Sequence, residues 1–149
     1  EVRMDTYSIR ALRKEDALPL GKIEQESFSM PWSAEDFAAL VAHSYCHYVV
    51  AEAAGEVIGC CGYTVSCGEG NIDNVVGAPA WRGRGVAQTM LKTLMEQGEA
   101  EGITAYTLEV RVSNASAIHV YEKLGFTTEG IRPGFYEKPR EDAAIMWRR

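Results

Sequence analysis

The spacing of apolar residues changes period several times along the chain, and each change marks an element. Tyr7 to Leu12 alternates as a first strand, and Asp16 can open a helix running towards Ser27. Met30-Pro31-Trp32-Ser33 breaks it, because proline disfavours helix at the residue before it. Ser33 with Asp36 three residues later resembles a capping box, predicting a second helix from Ser33 to near Ala42. Two strands, Tyr48 to Ala53 and Val57 to Ser66, flank the hairpin signal Ala54-Gly55. Cys67 to Gly70 reads as a turn into a further strand, Asn71 to Gly77. From Gly85 to Glu101 the set Ala87, Met90, Leu91 and Leu94 has helical spacing, with Gly102 as the stop. Ala105 to Val112 alternates again, placing Tyr106, Leu108, Val110 and Val112 on one face. Asn114 can cap a helix through Leu124, Gly125 suits its left-handed end, and Phe126 to Gly130 and Ala143 to Trp147 close the chain as strands. The order β-α-α-β-β-β-α-β-α-β-β predicts a mixed sheet with helices on its faces, an α/β (α+β) class.

Composition narrows the possibilities. At 149 residues the natural expectation is a single domain over 1–149. An apolar content of 46% with 24% charged residues excludes intrinsic disorder. No apolar run approaches the roughly 18 residues of a membrane span. Glu1 to Asp5 are charged rather than leader-like, and Met4 is a candidate natural start. The formal net charge of -6 argues against a nucleic-acid partner and suits a cationic one. The expectation is a cytoplasmic monomer without a membrane partner, since no surplus amphipathic face stands out. Cys46, Cys60, Cys61 and Cys67 include no C-x-x-C, and adjacent strand cysteines point to opposite faces. They read as free thiols in a reducing compartment, and no metal is expected.

The densest chemical signal is Arg82-Gly83-Arg84-Gly85-Val86-Ala87, between a strand and a long amphipathic helix. Such a turn offers backbone N–H groups and the positive end of a helix dipole, which suit a phosphate. Its glycines let the backbone approach an anion closely. A P-loop is excluded because no Gly-Lys-Ser/Thr occurs, and a dinucleotide fingerprint because Gln88 stands where glycine is required. A plain glycine turn with two solvated arginines remains the alternative on these residues alone.

Arg82-x-x-Gly85-x-Ala87 resembles the (Gln/Arg)-x-x-Gly-x-(Gly/Ala) signature of the GCN5-related N-acetyltransferases (GNAT). The resemblance extends through Met30-Pro31-Trp32-Ser33, Asn74-Val75-Val76, Leu108-Glu109-Val110-Arg111-Val112-Ser113-Asn114-Ala115 and Tyr121-Glu122-Lys123-Leu124-Gly125-Phe126. It points to the branch that acetylates the N-terminal alanine of a small-subunit ribosomal protein. The resemblance implies the GNAT fold, a mostly antiparallel sheet of about seven strands with about four helices, and acetyl-CoA as cosubstrate. By position, Val75, Val76 and Gly77 match the strand beside the pantetheine arm. Arg82, Gly83, Arg84, Gly85, Val86, Ala87 and Gln88 match the pyrophosphate turn, and Asn114 a cofactor contact that can also cap its helix.

On its own Glu109 reads as a solvated glutamate, sharing its strand face with Thr107 and Arg111. Tyr121 by itself reads as a core tyrosine on a stripe with Ala117, Ile118 and Leu124. The resemblance makes Glu109 the general base and Tyr121 the general acid for the departing thiolate. An α-amine titrates near 7.7–8.0, against about 10.4 for lysine, so deprotonating an N-terminus asks little of that base. The expected reaction is direct attack by the amine; an acetyl-enzyme on Cys60 or Cys61 is the rival. Trp32 and Tyr136 correspond to the peptide-side walls, with Trp32 equally readable as a helix-junction anchor. Three residues depart from the branch: Asn71 stands where it often has Glu, Asp73 where it is usually apolar, and Gly77 where it usually has Val. Asn71 and Asp73 are expected near the amine pocket, and Gly77 to loosen the strand end or mark a bulge. The alternatives are a relative acetylating a small amine such as a polyamine or aminoglycoside, and a non-catalytic acetyl-CoA-binding module.

Overall fold

The computed structural model describes residues 6–149, so Glu1 to Asp5 and the candidate start at Met4 lie outside the described residues. Strands β1 (Ser8–Ala11), β2 (Cys46–Ala53), β3 (Glu56–Ser66), β4 (Glu69–Gly77), β5 (Ala105–Arg111), β6 (Thr127–Tyr136) and β7 (Glu141–Arg148) alternate with helices α1 (Ala17–Ser27), α2 (Ala34–Val41), α3 (Val86–Ala100) and α4 (Ala115–Lys123) in the predicted order. They form a seven-stranded sheet, β1-β2-β3-β4-β5-β7-β6. Every neighbouring pair is antiparallel except β4 and β5, which run parallel.

The period-two pattern sorts side chains between two cores. Val49, Ala51, Cys61, Ile72 and Leu108 face Met90, Leu91, Leu94 and Met95 of α3, where Tyr121 and Phe126 join them. Tyr48, Val50, Cys60 and Val76 face Leu20 and Ile23 of α1 and Phe37 of α2. Cys60 and Cys61 therefore belong to opposite cores, and all four cysteines are free thiols. No helix among the described residues is long and apolar enough to cross a membrane.

Caps fall where the sequence puts them. Ser33 accepts from the Asp36 N–H while Asp36 accepts from the Ser33 N–H, and Asn114 accepts from the Ala117 N–H. The start of α1 is secured from outside the helix: both terminal nitrogens of Arg10 donate to the Asp16 carboxylate at 2.8 Å, and the Arg13 N–H donates to it at 2.8 Å.

Several boundaries differ from expectation, and three of them have a visible cause. The turn after β3 is only Cys67-Gly68, both left-handed (φ 51° and 76°), so β4 begins at Glu69. β5 ends at Arg111, leaving Val112 exposed as its chain turns towards Asn114. β6 continues through Pro133-Gly134 to Tyr136, because a register irregularity between Arg132 and Tyr136 absorbs the proline's missing donor.

Candidate active site

The parallel β4–β5 ladder holds only from Glu69↔Ala105 to Ile72↔Leu108. The next residue, Asp73, is a bulge: Gly62 of β3 pairs with Asn74 and Tyr63 with Ile72, so Asp73 is extra. A bulge bends its strand, and β4 leaves β5 at that point. Between the parting strands lies a cleft of about 860 Å³. Gly77 pairs with Gly59 in register, so the bulge lies at Asp73 and not at Gly77. Asn71 stays in the paired part of β4, opposite Thr107, and does not line the cleft, contrary to its expected place near the amine pocket.

One end of the cleft is the glycine turn. Gly83 and Gly85 have φ of 77° and 76°, a left-handed backbone that other residues rarely adopt. A Cβ at Gly77, Gly83 or Gly85 would meet nothing within 4 Å, so backbone is open to an incoming group. Arg82, Val86, Ala87 and Gln88 line this end with Val75, and the N-terminus of the fifteen-residue α3 starts there. Arg82 also donates to Ser27 Oγ at 2.8 Å, tying the turn to the end of α1. Of the residues matched to the cosubstrate, two stand outside the lining. Val76 points into the α1/α2 core, where only its backbone belongs to the strand edge, and the Arg84 guanidinium lies 5.0 Å over the Trp81 ring. Extended backbone leading to a helix N-terminus can hold a long molecule that ends in phosphates.

The other end brings together Glu109, Tyr121, Tyr136, Asn114 and Trp32. Glu109 follows the last β4–β5 pair, and its Oε2 accepts from Arg132 of β6 at 2.6 Å. Tyr121 is buried with its ring against Phe126. Its hydroxyl has no hydrogen-bond partner among the described residues, and no buried polar side-chain atom there lacks one, so the hydroxyl opens to the cleft. Burial, with lesser contributions from Cys61 and Tyr136, pushes the Tyr121 phenol well above its ordinary range, which keeps it a proton donor. Arg111 lies 4.5 Å over the Tyr136 ring and donates to the Glu137 and Pro139 carbonyls, fixing this wall. Burial first, then the Glu109 charge, raises the Tyr136 phenol as well. Cys60 and Cys61 are wholly buried and burial raises both thiols, so neither offers a thiolate to the cleft.

The acceptor wall contains residues that sequence reasoning missed. Glu24, 2% exposed, accepts from the Trp32 N–H at 3.1 Å and from the Asn74 amide at 3.3 Å, clasping the Met30–Ser33 segment to β4. Its signal was available: Leu20, Ile23 and Glu24 share one helical stripe, and a carboxylate on an apolar stripe is unusual. Burial raises the Glu24 carboxyl, against the lowering effect of its two donors. The folded state therefore holds a proton that the unfolded chain releases near 4.3, and Glu24 lowers stability as pH rises from there through its folded value. Glu24→Gln is expected to flatten that fall and to be relatively more stable at neutral than at acidic pH, measured by urea denaturation across pH. Trp32 packs its ring at a tilt against Phe37 and Tyr48, with centroids 5.4 and 6.2 Å apart, so it anchors the helix junction while lining the cleft.

A splayed parallel pair of strands, an anion-suited glycine turn and the cluster of Glu109, Tyr121 and Tyr136 thus meet in one cleft. The chain belongs to the acetyltransferase (GNAT) family, whose model matches residues 17–126, and it is an acetyltransferase. The Escherichia coli (strain K12) [ribosomal protein bS18]-alanine N-acetyltransferase is 32% identical over 141 residues, covering 93% of this chain and 95% of that protein. A Bacillus subtilis relative assigned provisionally to the same activity is 35% identical over 141 residues, covering 94% and 93%. The crystal structure of the Escherichia coli ribosomal-protein-S18-alanine N-acetyltransferase superposes with a TM-score of 0.89 at 30% identity, covering 96% of this chain and 93% of that one.

Proposed function

We propose that this acetyltransferase moves the acetyl group of acetyl-CoA to the N-terminal α-amino group of a protein, in the manner of the RimI type, with the N-terminal alanine of a small-subunit ribosomal protein as acceptor. The observation that carries the reading is the single cleft that starts at the glycine turn and ends between Glu109, Tyr121 and Tyr136. The likeness to the bS18-alanine N-acetyltransferases over nearly the whole chain supports the acceptor.

In this reading Val75, Val76 and Gly77 present backbone to the pantetheine arm. Residues 82–88 hold the pyrophosphate with the dipole of α3 behind them. Glu109 takes a proton from the amine directly or through a water: Arg132 occupies Oε2, which leaves Oε1 to accept. The neutral amine forms its bond to the acetyl carbon, the carbon–sulfur bond breaks as Tyr121 gives its proton to the departing thiolate, and the extra proton shed by the new amide nitrogen restores the Tyr121 phenol. The buried thiols support this direct transfer over an acetyl-cysteine route.

Labelled acetyl-CoA offered with an alanine-initiated peptide and, separately, with spermidine tests the reading. Transfer to the peptide's α-amine is expected, and preferential labelling of spermidine would overturn it.

A further inference from the structure

Asp73 is the residue at which this chain departs from an apolar expectation, and the structure holds its side chain in place. Tyr48 donates its hydroxyl to Asp73 Oδ1, and Thr64 donates to Oδ2 at 2.6 Å. Tyr48 stands on β2, so its ring must cross β3 to reach β4. It does so over Gly62, where any Cβ would sit 2.2 Å from the ring. The Tyr48 ring is in turn covered by Trp32. Burial, then the Asp73 charge, raises the Tyr48 phenol, so it remains the donor in this bond. Both carboxylate oxygens are thus oriented by hydroxyls from two strands.

The carboxylate is exposed at the cleft, and no ion pair joins it to a cation among the described residues. Glu109, by contrast, is paired with Arg132. Asp73 and Glu109 are the first residues beyond the last β4–β5 pair, Ile72↔Leu108, so they flank the point where the strands part. Paired strands lie about 4.8 Å apart, and one extended residue spans about 3.3–3.6 Å. An acceptor whose amine reaches Glu109 and whose chain crosses towards β4 brings the side chain of its next residue within reach of Asp73.

We propose that Asp73 is a specificity-determining residue that selects acceptors with a basic side chain at the residue next to the reacting N-terminal amine. This rests on the N-terminal acetyltransferase reading above. The hydroxyl pair pre-orients the carboxylate, so little freedom is lost when a cation arrives. The cleft side of the carboxylate is open to a guanidinium or ammonium.

The test compares kcat/KM for two peptides that differ only at the second residue, Ala-Arg and Ala-Gln, in the wild type and in Asp73→Asn. The wild type is expected to favour the Ala-Arg peptide by about tenfold, equivalent to ~1.4 kcal/mol, and Asp73→Asn to reduce that ratio to near one. A ratio near one in the wild type overturns the proposal and leaves the N-terminal reading standing. So does an Asp73→Asn loss that is equal for both peptides, which would give Asp73 a structural role or a contact with the amine itself. Acetylation of spermidine but of neither peptide overturns both readings. If Asp73→Asn does not fold, an Ala-Glu peptide keeps the question open to the wild type alone. It must be slower than Ala-Gln, with the difference shrinking as salt rises; equal rates would overturn the proposal.

Discussion

Tyr121→Phe is expected to lower kcat by about 10²–10⁴-fold, the usual contribution of a positioned acid or base, with KM for acetyl-CoA changing far less. The substitution removes one hydroxyl and leaves the ring packed against Phe126, so the fold is retained. Because that hydroxyl opens to the cleft without a protein partner among the described residues, its loss strands no buried group there. Burial holds the phenol above its ordinary range, so the variant should differ from wild type by a constant factor across neutral pH. Glu109→Gln should behave differently. The base is needed most when the amine is protonated, so its defect should shrink as pH rises past the amine's own value, about 7.7–8.0. Steady-state rates of thiol release across pH check both, and full kcat in Tyr121→Phe would remove the tyrosine from the chemistry.

Asp16→Ala is expected to cost about 2–3 kcal/mol of stability, short of the ~3–5 kcal/mol for stripping one partner from a fully buried pair, because Arg10 is partly exposed and keeps Glu52. Asp16 is 3% exposed and receives two nitrogens of Arg10 and the Arg13 N–H. Burial alone would raise the Asp16 carboxyl, but those donors and the Arg10 charge outweigh it and hold it below its usual value. Its folded value is depressed, so its stabilisation is present above the ordinary aspartate value near 3.9 and fades as pH falls through the lowered one. Urea denaturation at neutral pH reads the loss directly. A change below about 1 kcal/mol, the range for exposed pairs, would show that water reaches the bridge.

Local chemistry was legible wherever the sequence speaks locally. The Ser33–Asp36 box and the Asn114 cap, the split of Cys60 from Cys61, and the glycine turn before α3 each depend on residues a few positions apart. Most of the matched residues meet in one cleft, since motif and strand order together fix which ends of β4 and β5 adjoin α3 and α4. What pairs across the sheet was not legible. Arg132 reaches Glu109 from β6, on the far side of β7, and Tyr48 reaches Asp73 over a glycine on the strand between them. Neither contact leaves a periodicity or a spacing to read. Of the two readings of Gly77, a loosened strand end or a bulge, the second fails for a related reason. Gly77 looks like the weak point of its strand, but the extra residue is set by the register against β3, where Gly62 and Tyr63 fix the count. Val112 shows the opposite error, where a sound alternation ran one step past the last β5–β7 pair, Arg111↔Ala143.

The parallel seam between β4 and β5 has a mechanical consequence. Among the described residues, four ladder pairs join the β1-to-β4 half of the sheet to the β5-β7-β6 half, whereas each half holds longer antiparallel ladders of its own. The sheet is built as two stiff leaves on a short binding. A molecule lying along the gutter between them touches both leaves, so its affinity and the angle between the leaves are linked, and the angle it fits best is the one its binding populates. A molecule seated at the glycine turn is thereby expected to bias the gap beside Glu109, at the other end of the same gutter.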